Sequence, residues 1–133
     1  MANAFYTDFF DQLGTKGIGF LADTITVFLV DSADYTFSAA HDFLDDVPAL
    51  GRVASASLAT KTLVDGVFDA ADTVLATVTG DQSEALILSA TSASADAIRP
   101  LICYLDSYSG FPITPNGQNI TIVWPTAGIL SLA

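Results

Sequence analysis

A chain of 133 residues with fifteen Asp and Glu against four Lys and Arg carries a formal charge of −11, which repels phosphate backbones and argues against direct nucleic-acid binding. Half of it is apolar, at 51%, yet no apolar run approaches the ~20 residues of a membrane span. The size suits one domain that can bury a core without disulfide or metal, and the lone Cys103 reads as a small core hydrophobe.

So few charges beside so many apolar residues suggest that some surface is covered, by copies of the chain or by a partner. Met1–Phe10 does not read as a signal peptide: it lacks a basic start and a long apolar stretch, and Asp8 interrupts its aromatics. Phe5, Tyr6, Phe9, Phe10 and Leu13 recur at helical spacing, and Gly14, Gly17 and Gly19 then break the pattern. Residues 1–20 are therefore expected to be either a short amphipathic helix closing one end of the core or an aromatic arm that docks on a neighbour. On the second reading Phe5, Tyr6, Phe9 and Phe10 are the candidate partner-binding residues, because large aromatics supply much of the energy at interfaces. Residues 21–133 read as a single β domain.

Asp23–Asp31 is the clearest strand, with Ile25, Val27 and Leu29 on one face and Thr24, Thr26, Phe28 and Val30 on the other. Apolar groups on both faces near its end suggest a central position in a sheet. Ser38–Val47 reads as a short helix or turn that Pro48 and Gly51 end. It holds the densest polar cluster, His41, Asp42, Asp45 and Asp46. A calcium loop needs alternating oxygen ligands and a closing Glu, and these are absent. A general base needs a partnered nucleophile, and none accompanies His41 in a known order. The cluster reads first as a solvated acidic turn.

Arg52–Ser57 and Leu58–Val64 read as short strands, with Asp65-Gly66 as a strong turn signal. Thr73–Thr79 alternates, Gly80–Ser83 supplies turn chemistry, and Glu84–Ala90 is a short apolar run, so the three together read as a hairpin rather than a buried helix. Thr91–Ala97 reads as a loop, and Ile98–Asp106 as an apolar strand. Phe111–Gly117 reads as extended and closes on Asn116-Gly117, the best hairpin signal in the chain. Asn119–Trp124 alternates cleanly, and Ile129–Leu132 can add a last strand. About eight short strands at regular spacing argue for an antiparallel β-sandwich or barrel with one short helical insertion. No phosphate-cradling loop, Cys/His metal spacing or nucleophile elbow is present in the sequence, so neither an enzyme nor a cofactor is expected.

In their order, several segments resemble a family of small proteins encoded by tailed bacteriophages, many from aquatic hosts. They are Leu29–Tyr35, His41–Pro48, Arg52–Ala54, Gly80-Asp81 with Glu84–Leu86, Tyr104–Asp106, Gly110–Gly117 and Ile120–Trp124. The likeness runs from Asp23 to Trp124, while Met1–Phe20 and Pro125–Gly128 depart from it. It implies a virion structural protein, made in the host cytoplasm and placed on the capsid surface. The role expected is a decoration or cement protein that binds the major capsid protein and copies of itself as a trimer or dimer. A tail or head-to-tail connector subunit is the alternative within the same class. From a different class comes a calcium- or carbohydrate-binding module using Asp42–Asp46 or exposed Tyr35, Tyr104 and Tyr108.

Overall fold

The computed structural model of the chain describes residues 3–15, 17–107 and 110–132. They form a small β-sandwich in which every strand pair is antiparallel. In chain order the elements are β1 (Ala4–Phe5), α1 (Thr7–Gly14), β2 (Ile25–Val30), β3 (Arg52–Ser57), β4 (Thr62–Val64), β5 (Val67–Asp69), β6 (Thr73–Leu75), β7 (Ala85–Ala90), β8 (Leu101–Leu105), β9 (Ile120–Ile122) and β10 (Leu130–Ser131). The main sheet has the order β1-β8-β7-β2-β3, and two smaller sheets, β10-β5-β4 and β6-β9, make the second layer. No helix among the described residues is long and apolar enough to cross a membrane.

Apolar residues on both faces of β2 and β7 find apolar cover on both sides. Every residue of the two strands is buried. Ile25, Val27 and Leu29 of β2 join Leu86, Leu88 and Ala90 of β7 in one core, which Phe68, Leu75, Trp124 and Leu130 close from the second layer. On the opposite face Phe28, Val30, Ala85 and Ile87 meet Tyr35, Leu44 and Val47, so the 31–50 segment covers that side. A central strand is where a run such as Ala85–Ala90 loses the most apolar surface to water.

The N-terminal segment is a short helix built into the fold. Helical spacing holds from Thr7 onward. Phe5 instead lies in β1 opposite Cys103 of β8, and Tyr6 donates its backbone N–H to Ile102 O. Asp8 sits in the first turn, where a carboxylate suits the helix dipole, and accepts from Gln12 Nε2 one turn on at 2.9 Å.

Two expected hairpins are not made. β6 and β7 do not pair with each other: β6 takes β9 as partner, while β7 lies between β2 and β8. Val30 O binds Glu84 N–H and Ile113 binds Ser83 in both directions, so the intervening turn is drawn away from β6. Thr77, at φ 46°, reverses the side-chain alternation. Thr73 and Leu75 are buried and Val74 and Ala76 exposed, as alternation requires, but beyond Ala76 the faces exchange: Val78 is buried and Thr77 and Thr79 are exposed. Asn116-Gly117 does form a turn, with Gly117 at φ 86° and Asn116 Oδ1 accepting from Gln118 N–H. The residues before it include Pro112 and Pro115, which offer no N–H to a ladder, so β9 pairs with β6 instead. Asp65-Gly66 joins β4 to β5 as a two-residue hairpin with both residues at positive φ, 51° and 79°.

Candidate functional site

Three loops converge at the end of the main sheet where β2 finishes, β7 begins and β8 finishes. After β2, Asp31 is buried and its Oδ1 accepts from Ala33 N–H at 2.9 Å, closing a tight turn. Glu84, just before β7, accepts from Ser32 through both N–H and Oγ, at 2.9 and 3.0 Å. Carboxylate oxygens of Asp31, Asp34 and Asp81 lie within 4.8 Å of one another. Hard cations take such oxygens, but calcium needs six to eight ligands, and one Asp31 oxygen already serves the turn.

Beside this acidic end lies an apolar groove of about 300 Å³. Leu86 contributes from the main sheet, Ile120 and Ile122 from β9, and Phe111 and Ile113 from the segment before the Asn116 turn. That segment is positioned by Ile113, whose N–H and C=O both bond to Ser83 at 2.8 Å, and it contains a cis Phe111–Pro112 peptide. Val123 at the rim is 68% exposed. Phe111 also lines a separate depression, with Ser32, Glu84, Tyr104, Asp106 and Pro112.

The candidate aromatic residues are divided by the fold. Tyr6 and Phe9 are wholly buried, and Phe5 packs against the same core as Phe9 with their rings stacked at 5.3 Å. Phe10 alone of the four is largely exposed, at 53%. In this fold Tyr6 and Phe9 are core residues, which corrects their reading as partner contacts. The reason is that the preceding strand enters the main sheet and carries both rings inward.

His41 and the acids near it are likewise used locally. His41 Nδ1 bonds to Tyr35 OH at 2.8 Å, and Tyr35 OH to Tyr6 OH at 2.8 Å, so a chain of hydrogen bonds runs from the surface to a buried phenol. Burial pushes the Tyr35 phenol up to about 12 and the Tyr6 phenol higher still. Asp46 Oδ2 accepts from Asp42 N–H, and the Asp42 carboxyl is raised, first by burial and then by the Asp46 carboxyl beside it. The one trio of carboxylates close enough to share a cation among the described residues is Asp31, Asp34 and Asp81, not a set from Asp42–Asp46. Tyr35 and Tyr104 are 3% and 4% exposed and cannot offer their faces to a sugar, while Tyr108 lies outside the described residues.

Arg52 bridges loops. It donates to Leu44 O, Val47 O and Asp96 Oδ2, and Arg99 reaches the same carboxylate. The hydrogen bond from Arg52 holds the Asp96 carboxyl below its ordinary value. Cys103 is buried, and burial pushes its thiol up, which makes it unreactive.

Sequence reasoning missed the groove. Ile120 and Ile122 were legible as one face of a strand, but their juxtaposition with Phe111, Ile113 and Leu86 depends on long-range pairing. No family model matches this sequence, and no curated protein matches it.

Proposed function

We propose that this chain is a non-enzymatic structural protein of a bacteriophage virion, a decoration protein that binds the outer face of the assembled shell and stabilises it. The observation that carries this reading is apolar surface left open on the second layer of the sandwich. Val123 is 68% exposed and lines a groove whose other lining residues are mostly apolar, and Val74, paired with Thr121 of that lining, is 49% exposed. Contiguous exposed apolar patches mark protein-interaction sites. The ordered resemblance from Asp23 to Trp124 supports the virion setting.

The mechanism is mass action. A protein that binds the assembled shell and not the loosened one stabilises it by its differential affinity, and even about 1–3 kcal/mol per copy accumulates over a symmetric particle. Copies of the chain grouped as a trimer or dimer would match a symmetry axis of such a shell. The test is the copy number of this chain relative to the major shell protein in purified particles. A number comparable to the shell protein supports decoration. A number comparable to a single ring moves the chain to the tail or connector, and absence from the particle overturns the reading.

A further inference from the structure

The hydrogen-bonded chain from Tyr6 through Tyr35 to His41 can be read by counting its hydrogens. Tyr6 OH, Tyr35 OH and His41 Nδ1 make two contacts, each of 2.8 Å. Tyr6 is 0% exposed and Tyr35 3%, so neither phenol can turn its hydrogen to water. Two phenols bring two hydrogens, one for each contact. With Nδ1 bare, Tyr6 donates to Tyr35 and Tyr35 donates to His41. Every hydrogen then has an acceptor, and the described residues leave no buried side-chain nitrogen or oxygen without a partner. With a hydrogen on Nδ1 there are three hydrogens for two contacts. One phenol hydrogen is left in the core with nothing to accept it, at the full desolvation cost of that donor. The neutral ring therefore carries its hydrogen on Nε2, while the imidazolium, which carries both, breaks the arrangement.

We propose that this chain of hydrogen bonds is a proton-sensitive latch: neutral His41 holds the 31–50 segment against the main sheet, and protonated His41 loosens it. Tyr35, Leu44 and Val47 of that segment pack in one core with Phe28, Val30 and Ile87. Its backbone is tied in at three places, by Thr7 N–H to Ala39 O, Leu44 N–H to Arg99 O and Leu101 N–H to Asp42 O. The carboxylates at this end pull the other way. Asp46 acts on the Tyr35 phenol, and Asp46 and Asp8 of α1 act on the Asp42 carboxyl; a positive ring gains from these and from Asp45. None of the four is buried, so water and salt screen that gain, whereas nothing screens a hydrogen stranded in the core. Arg52, bonded to Leu44 O and Val47 O, keeps its charge throughout. Tyr104 and Cys103 of β8 also face Tyr6, and burial keeps both neutral. The latch is closed above the histidine range and opens as pH falls through it, from about 8 to 5.

The full chain, labelled with nitrogen-15, tests this in two ways. At the alkaline end of the range the His41 resonances should show a bare Nδ1 and a protonated Nε2. A hydrogen on Nδ1 there overturns the proposal, and this measurement needs no variant. The second readout is hydrogen exchange at the amides of Thr7, Leu44 and Leu101, corrected for the intrinsic effect of pH. Their protection should fall about tenfold as the pH is lowered through the histidine range. His41→Asn keeps a carbonyl acceptor for Tyr35 and removes the titration, so the fall should be absent in that variant. The Asp42 and Asp46 carboxyls are present in both proteins, and the difference isolates His41. Equal loss of protection in the two proteins, or none in the wild type, overturns the latch.

Discussion

Tyr35 is the residue on which one end of the core depends for its polar satisfaction. Its hydroxyl lies between the buried Tyr6 hydroxyl and His41 Nδ1, at 2.8 Å from each. Tyr6 is 0% exposed and has no other hydrogen-bond partner for its hydroxyl among the described residues. Removing the middle of such a chain strands a buried donor, whereas removing its inner end leaves the rest paired. Tyr35→Phe is therefore expected to cost about 1–3 kcal/mol in urea unfolding, and Tyr6→Phe about 1 kcal/mol or less. Equal costs would show that the Tyr6 hydroxyl does not depend on Tyr35. The same geometry explains why His41, conspicuous as the single histidine, is engaged as an acceptor or donor to a phenol.

At the scale of the element, local signals were reliable where they needed only near neighbours. Asp65-Gly66 joins two strands because positive φ at both residues is an immediate property of the turn. Gly128, at φ 107°, is a turn of another kind, since it carries the chain from Trp124 into β10 close against β5. A Cβ there would run into Val67 Cγ1 and approach Phe68 O. Gly128→Ala is expected to destabilise the protein by about 1–3 kcal/mol, from overpacking and from the left-handed backbone together. The amides of Ile129 and Leu132, which bond to Phe68 O and Gly66 O, should then exchange faster with solvent. Unchanged exchange and an unchanged melting temperature would mean that β10 is held by something other than this close approach.

For the whole molecule, the N-terminal segment decides whether the sandwich is closed. β1 caps the edge of β8, Tyr6 belongs to the core on one face of the main sheet and Phe9 to the core on the other. Losing one buried aromatic to Ala costs about 3–5 kcal/mol, and the total stability of a domain is only about 5–15 kcal/mol. Deleting residues 1–10 should therefore unfold the chain or leave it without a cooperative thermal transition. If the truncated chain melts normally, the segment is a detachable arm after all and Phe5, Tyr6, Phe9 and Phe10 return as candidate contacts.

Most of the strands and the general class of the fold were legible in the sequence, because alternation and turn chemistry act over a few residues. β2 shows this in Ile25, Val27 and Leu29, and β9 in Ile120 and Ile122. Strand partners were not legible: Thr73–Leu75 and Ala85–Ala90 are neighbours in the chain but lie in different sheets. An apolar run states how much surface it must bury, not against what. Ala85–Ala90 could satisfy both faces only at the centre of the main sheet, between β2 and β8. The same holds for the groove and for the acidic end beside it, whose side chains come from segments tens of residues apart. Residue types and their local period were set by the sequence alone; which of them meet was decided by the tertiary structure, since burial is shared among distant segments.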